Sequence, residues 1–257
     1  MEIPALPDLA ILMVEVGSTA HGTGIAGGED HDELAVVVET PAQVIGLDER
    51  GFRTVMQRTQ PDGVRSGPGD IDRTLHSLRR FVRLAASGNP SILMALWAPV
   101  EHTTPEGDGL RALGEAFVGR HMIPRYRGYM RSQAMRLLGL RGRSHGDGTV
   151  GGRVELIDAH GYDTKYAMHS ARLGFQCAEL LSTGGMALPI QGEPADWLRA
   201  VRYGQVSFED WWARSLALDA HLAALEDDAS LPPGPDRDRI DAWLIATHRQ
   251  VWARLGC

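Results

Sequence analysis

Two apolar, β-branched runs flank a stretch that is too glycine-rich for a plain strand or helix. Residues 10–16 read AILMVEV and residues 33–39 read ELAVVVE. Between them lie Gly17-Ser18-Thr19-Ala20-His21-Gly22-Thr23-Gly24 and then Gly27-Gly28. Short runs of this kind read as buried strands, and clustered glycines read as turns. The chain must leave one strand, turn through the glycines and re-enter a sheet. Asp30, His31 and Asp32 stand at the re-entry, after eleven residues that follow Ser18.

Each part of this pattern has a mechanical use. A glycine at a strand end lets the backbone approach a phosphate closely. Ser18 offers a hydroxyl and an N–H to phosphate oxygens, and amides at such turns form anion-binding concavities. Asp30 and Asp32 are two residues apart in extended chain, so their carboxylates project from one face. Paired carboxylates suit Mg²⁺, which prefers oxygen ligands and completes its shell with substrate phosphates. A two-ion site needs a third carboxylate from a neighbouring strand. Asp72, opening the strand expected at 71–76, is the first choice, with Asp70 in reserve.

Further along, Ser77 is placed to cap a helix that stops at Gly88, and Pro90 suits the start of the next. Past residue 105 the chain reads as helical, with segments at 109–118, 124–139, 161–183, 193–203, 207–226 and 236–255. The expected fold class is α+β. A small mixed-sheet domain at 1–105 would be followed by a helical bundle at 106–257.

The net charge of −7 hides an uneven distribution. Residues 111–172 carry 11 basic and 5 acidic side chains, against 8 and 16 before them and 7 and 12 after. A basic middle between acidic flanks is either a polyanion-facing surface or a solvated helix face. Lys165 is the one lysine among 26 basic residues. It falls on a helical stripe with His169, Arg172 and Gln176, which either neutralises a bound triphosphate or faces solvent. Residues 125–131, RYRGYMR, interleave arginines with tyrosines. They either stack on nucleic acid or anchor their helix. Cys177 and Cys257 form no metal-binding or disulfide pattern. No run is long and apolar enough for a membrane span, and residues 1–10 do not read as a signal peptide, so a cytoplasmic protein is expected.

The spacing Gly17-Ser18, then Asp30-x-Asp32, resembles the signature of the DNA polymerase β-like nucleotidyltransferase superfamily. Together with LHSLRRFVRLAASGNPSILMALWAP at 75–99 and GYDTKYAMHSARL at 161–173, it is similar to nucleotidyltransferases of bacteria and phages, some labelled as an RNA-repair-associated polymerase β family. The resemblance spans roughly residues 9–210. It implies a nucleotidyltransferase that moves a nucleoside monophosphate from an NTP to a hydroxyl. Gly17 and Ser18 would bind the nucleotide, and the resemblance favours the same role for Lys165 and His169; Arg172 either joins them or faces solvent, and His21, within the turn, either contacts a phosphate or is merely tolerated there. Asp30, Asp32 and Asp72 would hold two Mg²⁺ ions, for which Mn²⁺ can substitute. The helical part would close over the nucleotide. An RNA or tRNA 3′ end is the leading acceptor; a protein hydroxyl, or nucleotide or RNA binding without turnover, are the alternatives. The chain departs from the superfamily at His31 and Glu33, where apolar residues are usual. Glu33 thereby becomes a competing ligand, although alternation places it opposite Asp32.

Overall fold

The computed structural model describes residues 5–24, 31–47, 54–61, 63–64, 66–67, 69–140 and 153–256. The chain divides into two compact units, Met1–Phe117 with Ala187–Pro189 and Pro235–Cys257, and Val118–Met186 with Ile190–Gly234. Five strands lie in the first: β1 (Ala10–Glu15), β2 (His31–Val37), β3 (Thr54–Arg58), β4 (Ile71–Ser77) and β5 (Val100–Thr103). So do helices α1 (Gly17–His21), α2 (Pro41–Ile45), α3 (Leu78–Ala86), α4 (Pro90–Leu93) and α5 (Pro105–Ala112). The second unit holds α6 (Ile123–Leu137), α7 (Val154–His160), α8 (Thr164–Thr183), α9 (Gly192–Arg202) and α10 (Phe208–Leu225). Helix α11 (Arg237–Arg254) returns to the first unit.

The sheet runs β3-β4-β2-β1-β5. Strands β2 and β4 are parallel and the other neighbours antiparallel, so the sheet is mixed and the fold is α+β. Leu12, Val14, Val36, Leu78, Phe81 and Leu93 are buried in this unit's core. Helix α3 packs on β2 and β4, and α5 on β1 and β5. Ser77 caps α3 by accepting from the Arg80 N–H, as its position in the sequence predicts.

The unit boundary falls after Phe117, where the sequence reading placed it near 105. Helix α11, which that reading grouped with the helical part, packs against α3 instead. Its buried Ile240, His248 and Val251 are spread through the helix. His248 Nε2 lies 3.2 Å from the buried Glu39 carboxylate, and Trp252 Nε1 donates to the Glu39 carbonyl at 2.7 Å. Sequence periodicity identifies such a helix but not the surface that receives it.

In the second unit, α8 packs against α6, α9 and α10. Ala167, Ala171 and Gly174 permit close approach; a Cβ at Gly174 would lie 2.9 Å from Met130 Cε. Trp211 donates to the Ala167 carbonyl at 2.9 Å and Ser170 to the Met130 carbonyl at 2.9 Å, tying α10 and α6 to α8.

Candidate active site

The first strand ends at Glu15, and the next residue, Val16, donates its N–H to the Asp32 carbonyl at 2.8 Å. Gly17 then adopts φ +74°, which only glycine takes without strain. The glycine-rich stretch does hold a short helix, α1, contrary to the sequence expectation. Ala20 and His21 supply buried anchors, and left-handed Gly22 ends the helix after five residues. Ser18 is half-buried at its start, and His21 is buried in its last turn.

Gly17 lies against Asp32. A Cβ on Gly17 would collide with Asp32 Oδ2 and come within 3.0 Å of its Cγ. The turn and the carboxylate thus occupy one small region. Asp32 in turn pairs in register with Asp72 across the parallel β2–β4 ladder. Register partners project from the same face of adjacent strands, roughly 4.8 Å apart. The two carboxylates named from sequence therefore stand side by side. Asp30 lies outside the described residues.

Asp70 has a different position. Its carboxylate accepts from the Thr59 hydroxyl at 3.0 Å and the Gly67 N–H at 2.9 Å, and its carbonyl accepts from the His31 N–H at 2.8 Å. It braces the approach to β4 from the loop side.

Asp72 sits in a cage of donors that the sequence reading did not find. Arg58 Nε donates to Oδ1 at 2.9 Å and Nη2 to Oδ2 at 3.3 Å. Gln60 Nε2 adds 2.9 Å and the Ser66 hydroxyl 2.6 Å. Burial pushes the Asp72 pKa up, but the bonds from Arg58, Ser66 and Gln60 outweigh it and hold the carboxyl below its usual range. The oxygen-only pair Asp32 and Asp72, with Gly17 at contact distance, fits a hard divalent cation. Arg58 occupies part of the Asp72 coordination space, so a cation there must share the carboxylate with the guanidinium or displace it.

Glu33, the competing ligand in the sequence reading, points to the opposite face. It is buried against Arg73, whose Nε donates to Glu33 Oε2 at 2.5 Å.

The residues expected to bind triphosphate from the helical part lie in the second unit. Lys165, His169, Arg172 and Gln176 do share one stripe of α8, but it is not a solvated face. Gln176 is buried, and Arg172 Nη1 donates to its Oε1 at 3.2 Å. Burial depresses the Arg172 pKa to about 10. Among the described residues, His169 Nδ1 is buried without a hydrogen-bond partner. Burial, then Arg172, Lys165, Arg153 and Arg202, drive its pKa well below the ordinary value, so the imidazole is neutral among cations. Arg153 and Arg202 are additions that one-helix periodicity cannot find, because they come from the start of α7 and the end of α9.

Asp163 organises this group. It is fully buried and caps α8 by accepting from the Lys165 and Tyr166 N–H groups at 3.0 Å each. Its other oxygen accepts from the Arg153 N–H at 2.6 Å and Nη1 at 3.1 Å. The Arg125–Arg131 segment is divided between packing and surface, with Arg125, Gly128, Tyr129 and Arg131 exposed. Tyr126 is fully buried, Arg127 pairs with Asp219 and Glu226, and Arg131 pairs with Asp219.

A sheet that presents two facing aspartates beside a glycine-serine turn has the architecture of polymerase β-like nucleotidyltransferases. The model of the RNA repair pathway DNA polymerase beta family matches residues 9–246, and the chain belongs to that family. The structure of a nucleotidyltransferase-like protein from Exiguobacterium sibiricum 255-15 is similar over 85% of this chain and 69% of that one, at 8% identity and a TM-score of 0.28. A likeness that loose carries no argument about the site. No curated protein matches the chain. Among the described residues, no helix is long and apolar enough to cross a membrane.

Proposed function

We propose that this chain transfers a nucleoside monophosphate from an NTP to the hydroxyl at an RNA 3′ end, such as that of tRNA, with release of pyrophosphate. The observation that carries this reading is the register of Asp32 with Asp72 beside Gly17. The acceptor oxygen attacks the α-phosphorus, the bond to the β-phosphate oxygen breaks, and the hydroxyl proton is lost to solvent. The Gly17-Ser18 turn receives phosphate oxygens through the Ser18 N–H and hydroxyl. Asp32 and Asp72, with Asp30, are the residues that would hold Mg²⁺, or Mn²⁺ in its place. Bound there, the ions supply charge neutralisation and acidify the attacking hydroxyl. Lys165 and Arg172, joined by Arg153 and Arg202 around the neutral His169 imidazole, offer positive charge suited to a triphosphate. The family's link to RNA repair and the excess of basic side chains at 111–172 favour an RNA acceptor.

The test is a transfer assay with each of four α-labelled NTPs, Mg²⁺, and a mixed pool of tRNA and cell protein. Asp32→Asn serves as the blank. Label on RNA, absent with the variant, supports the proposal. Label on a protein band instead keeps nucleotidyl transfer but moves the acceptor to a protein hydroxyl. No label in any fraction, with NTP binding intact by calorimetry, sinks the catalytic reading.

A further inference from the structure

The sheet face opposite Asp32 carries a second constellation, which nucleotidyl transfer does not use. Successive strand residues alternate faces, so His31 and Glu33 project away from Asp32. Carboxylates from three neighbouring strands surround the His31 imidazole. Nε2 lies 2.8 Å from Glu101 Oε1 on β5 and 3.3 Å from Glu33 Oε1 on β2. Nδ1 lies 3.6 Å from Glu15 Oε1 on β1.

We infer that His31 Nε2, Glu33 Oε1 and Glu101 Oε1 form a binding site for a first-row transition dication of the Zn²⁺ class, separate from the Asp32 face. Their ligand atoms all lie within 4.8 Å of one another. Metal–ligand bonds of roughly 2.0–2.2 Å place such atoms about 3–4 Å apart, so small side-chain adjustments suffice. An imidazole nitrogen selects a borderline ion over Mg²⁺, which favours an all-oxygen shell.

The arrangement is more than a patch of acids, because its ligands are themselves held. Arg73, buried beside Glu33, fixes the carboxylate oxygen that the cation would not use. Glu15 faces the second nitrogen of His31. A carboxylate behind the imidazole and a donor behind the ligating carboxylate are the supports that orient metal ligands.

Charge points the same way. Among the described residues, Glu15, Glu33 and Glu101 together meet one guanidinium, that of Arg73. Because β1 runs between β2 and β5, the ion would staple this end of the sheet across three strands.

The experiment titrates ZnCl₂ into the metal-stripped full chain near neutral pH, with excess Mg²⁺ present to satisfy the Asp32 face. Calorimetry and the melting temperature are both read. The expected result is one Zn²⁺ equivalent and a higher melting temperature. Glu101→Gln and His31→Ala should each weaken binding at least about tenfold, while Asp32→Asn leaves it unchanged. Glu101 lies on an edge strand, so its variant remains informative if His31→Ala folds poorly. The proposal is overturned by the lack of a Mg²⁺-resistant Zn²⁺ event, by an event unchanged in Glu101→Gln, or by one lost in Asp32→Asn. None of these outcomes depends on nucleotidyl transfer.

Discussion

Gly17 and the Asp32 carboxylate share a space that admits no additional carbon. A Cβ at Gly17 would overlap Asp32 Oδ2, and the +74° φ independently disfavours any other residue. Gly17→Ala should therefore displace Asp32 as well as strain the turn. Displacements near 1 Å cost reactions of this kind about a hundredfold in rate. The backbone strain itself amounts to roughly 1–2 kcal/mol. Transfer rates and melting temperatures measured together would separate the two effects. Turnover equal to the parent chain would show that the close approach serves no catalytic purpose.

Arg58 neutralises the carboxylate that the proposed reaction needs. Arg58→Ala should free Asp72 for a divalent cation and lower the Mg²⁺ concentration for half-maximal transfer by roughly tenfold, the worth of one charge-assisted hydrogen bond. Asp72→Asn should abolish transfer at every Mg²⁺ concentration. An unchanged or raised Mg²⁺ requirement in Arg58→Ala would mean that the guanidinium stays on Asp72 in the working enzyme.

His76 gives the first unit a pH dependence of known sign. Its ring is buried, with Nδ1 3.1 Å from the Thr54 hydroxyl. Burial, then Arg80, lower its pKa from 6.5 to about 4. Between those values the unfolded chain binds the proton and the folded chain does not. Stability from this group is complete above pH 6.5 and declines as the pH falls towards 4, by on the order of 3 kcal/mol in total. Urea midpoints across that range should fall for the parent chain and stay flatter for His76→Gln.

Glu39 and His248 fasten α11 to the end of β2. Burial raises the Glu39 pKa, yet bonds from His248, Ser77 and the Arg79 N–H bring the balance below the ordinary 4.5. Its contribution is present above pH 4.5 and is lost as the pH drops through the lowered folded-state value. Glu39→Ala leaves buried donors unmet and should cost about 3 kcal/mol at neutral pH. Denaturant melts should also show a shallower acid limb for the variant; equal acid limbs would mean that Glu39 is not the group responsible.

Local rules found β1 and β2 because both are largely buried and show it as apolar, partly β-branched runs, while β4, reading IDRTLHS, buries most of its second half. They missed β3 and β5, the two edges, where Val55, Met56 and Val100 are exposed and no hydrophobic alternation marks the chain. An edge strand is a strand chiefly because its neighbour offers hydrogen bonds, and that neighbour is far away in sequence.

The same division runs through the site. Gly17, Ser18 and Asp32 could be proposed from sequence as candidates because a turn and an alternating pair of acids are local, short-range chemistry. The donor cage of Arg58, Gln60 and Ser66 around Asp72 could not, since it is assembled by β3 and the loop beyond it. Nor could Glu15, Glu33 and Glu101 be seen to converge on His31, because strand order, not spacing along the chain, brings them together. Alternation alone fixed that Asp32 and Glu33 part to opposite faces; tertiary packing decided what each of them meets there.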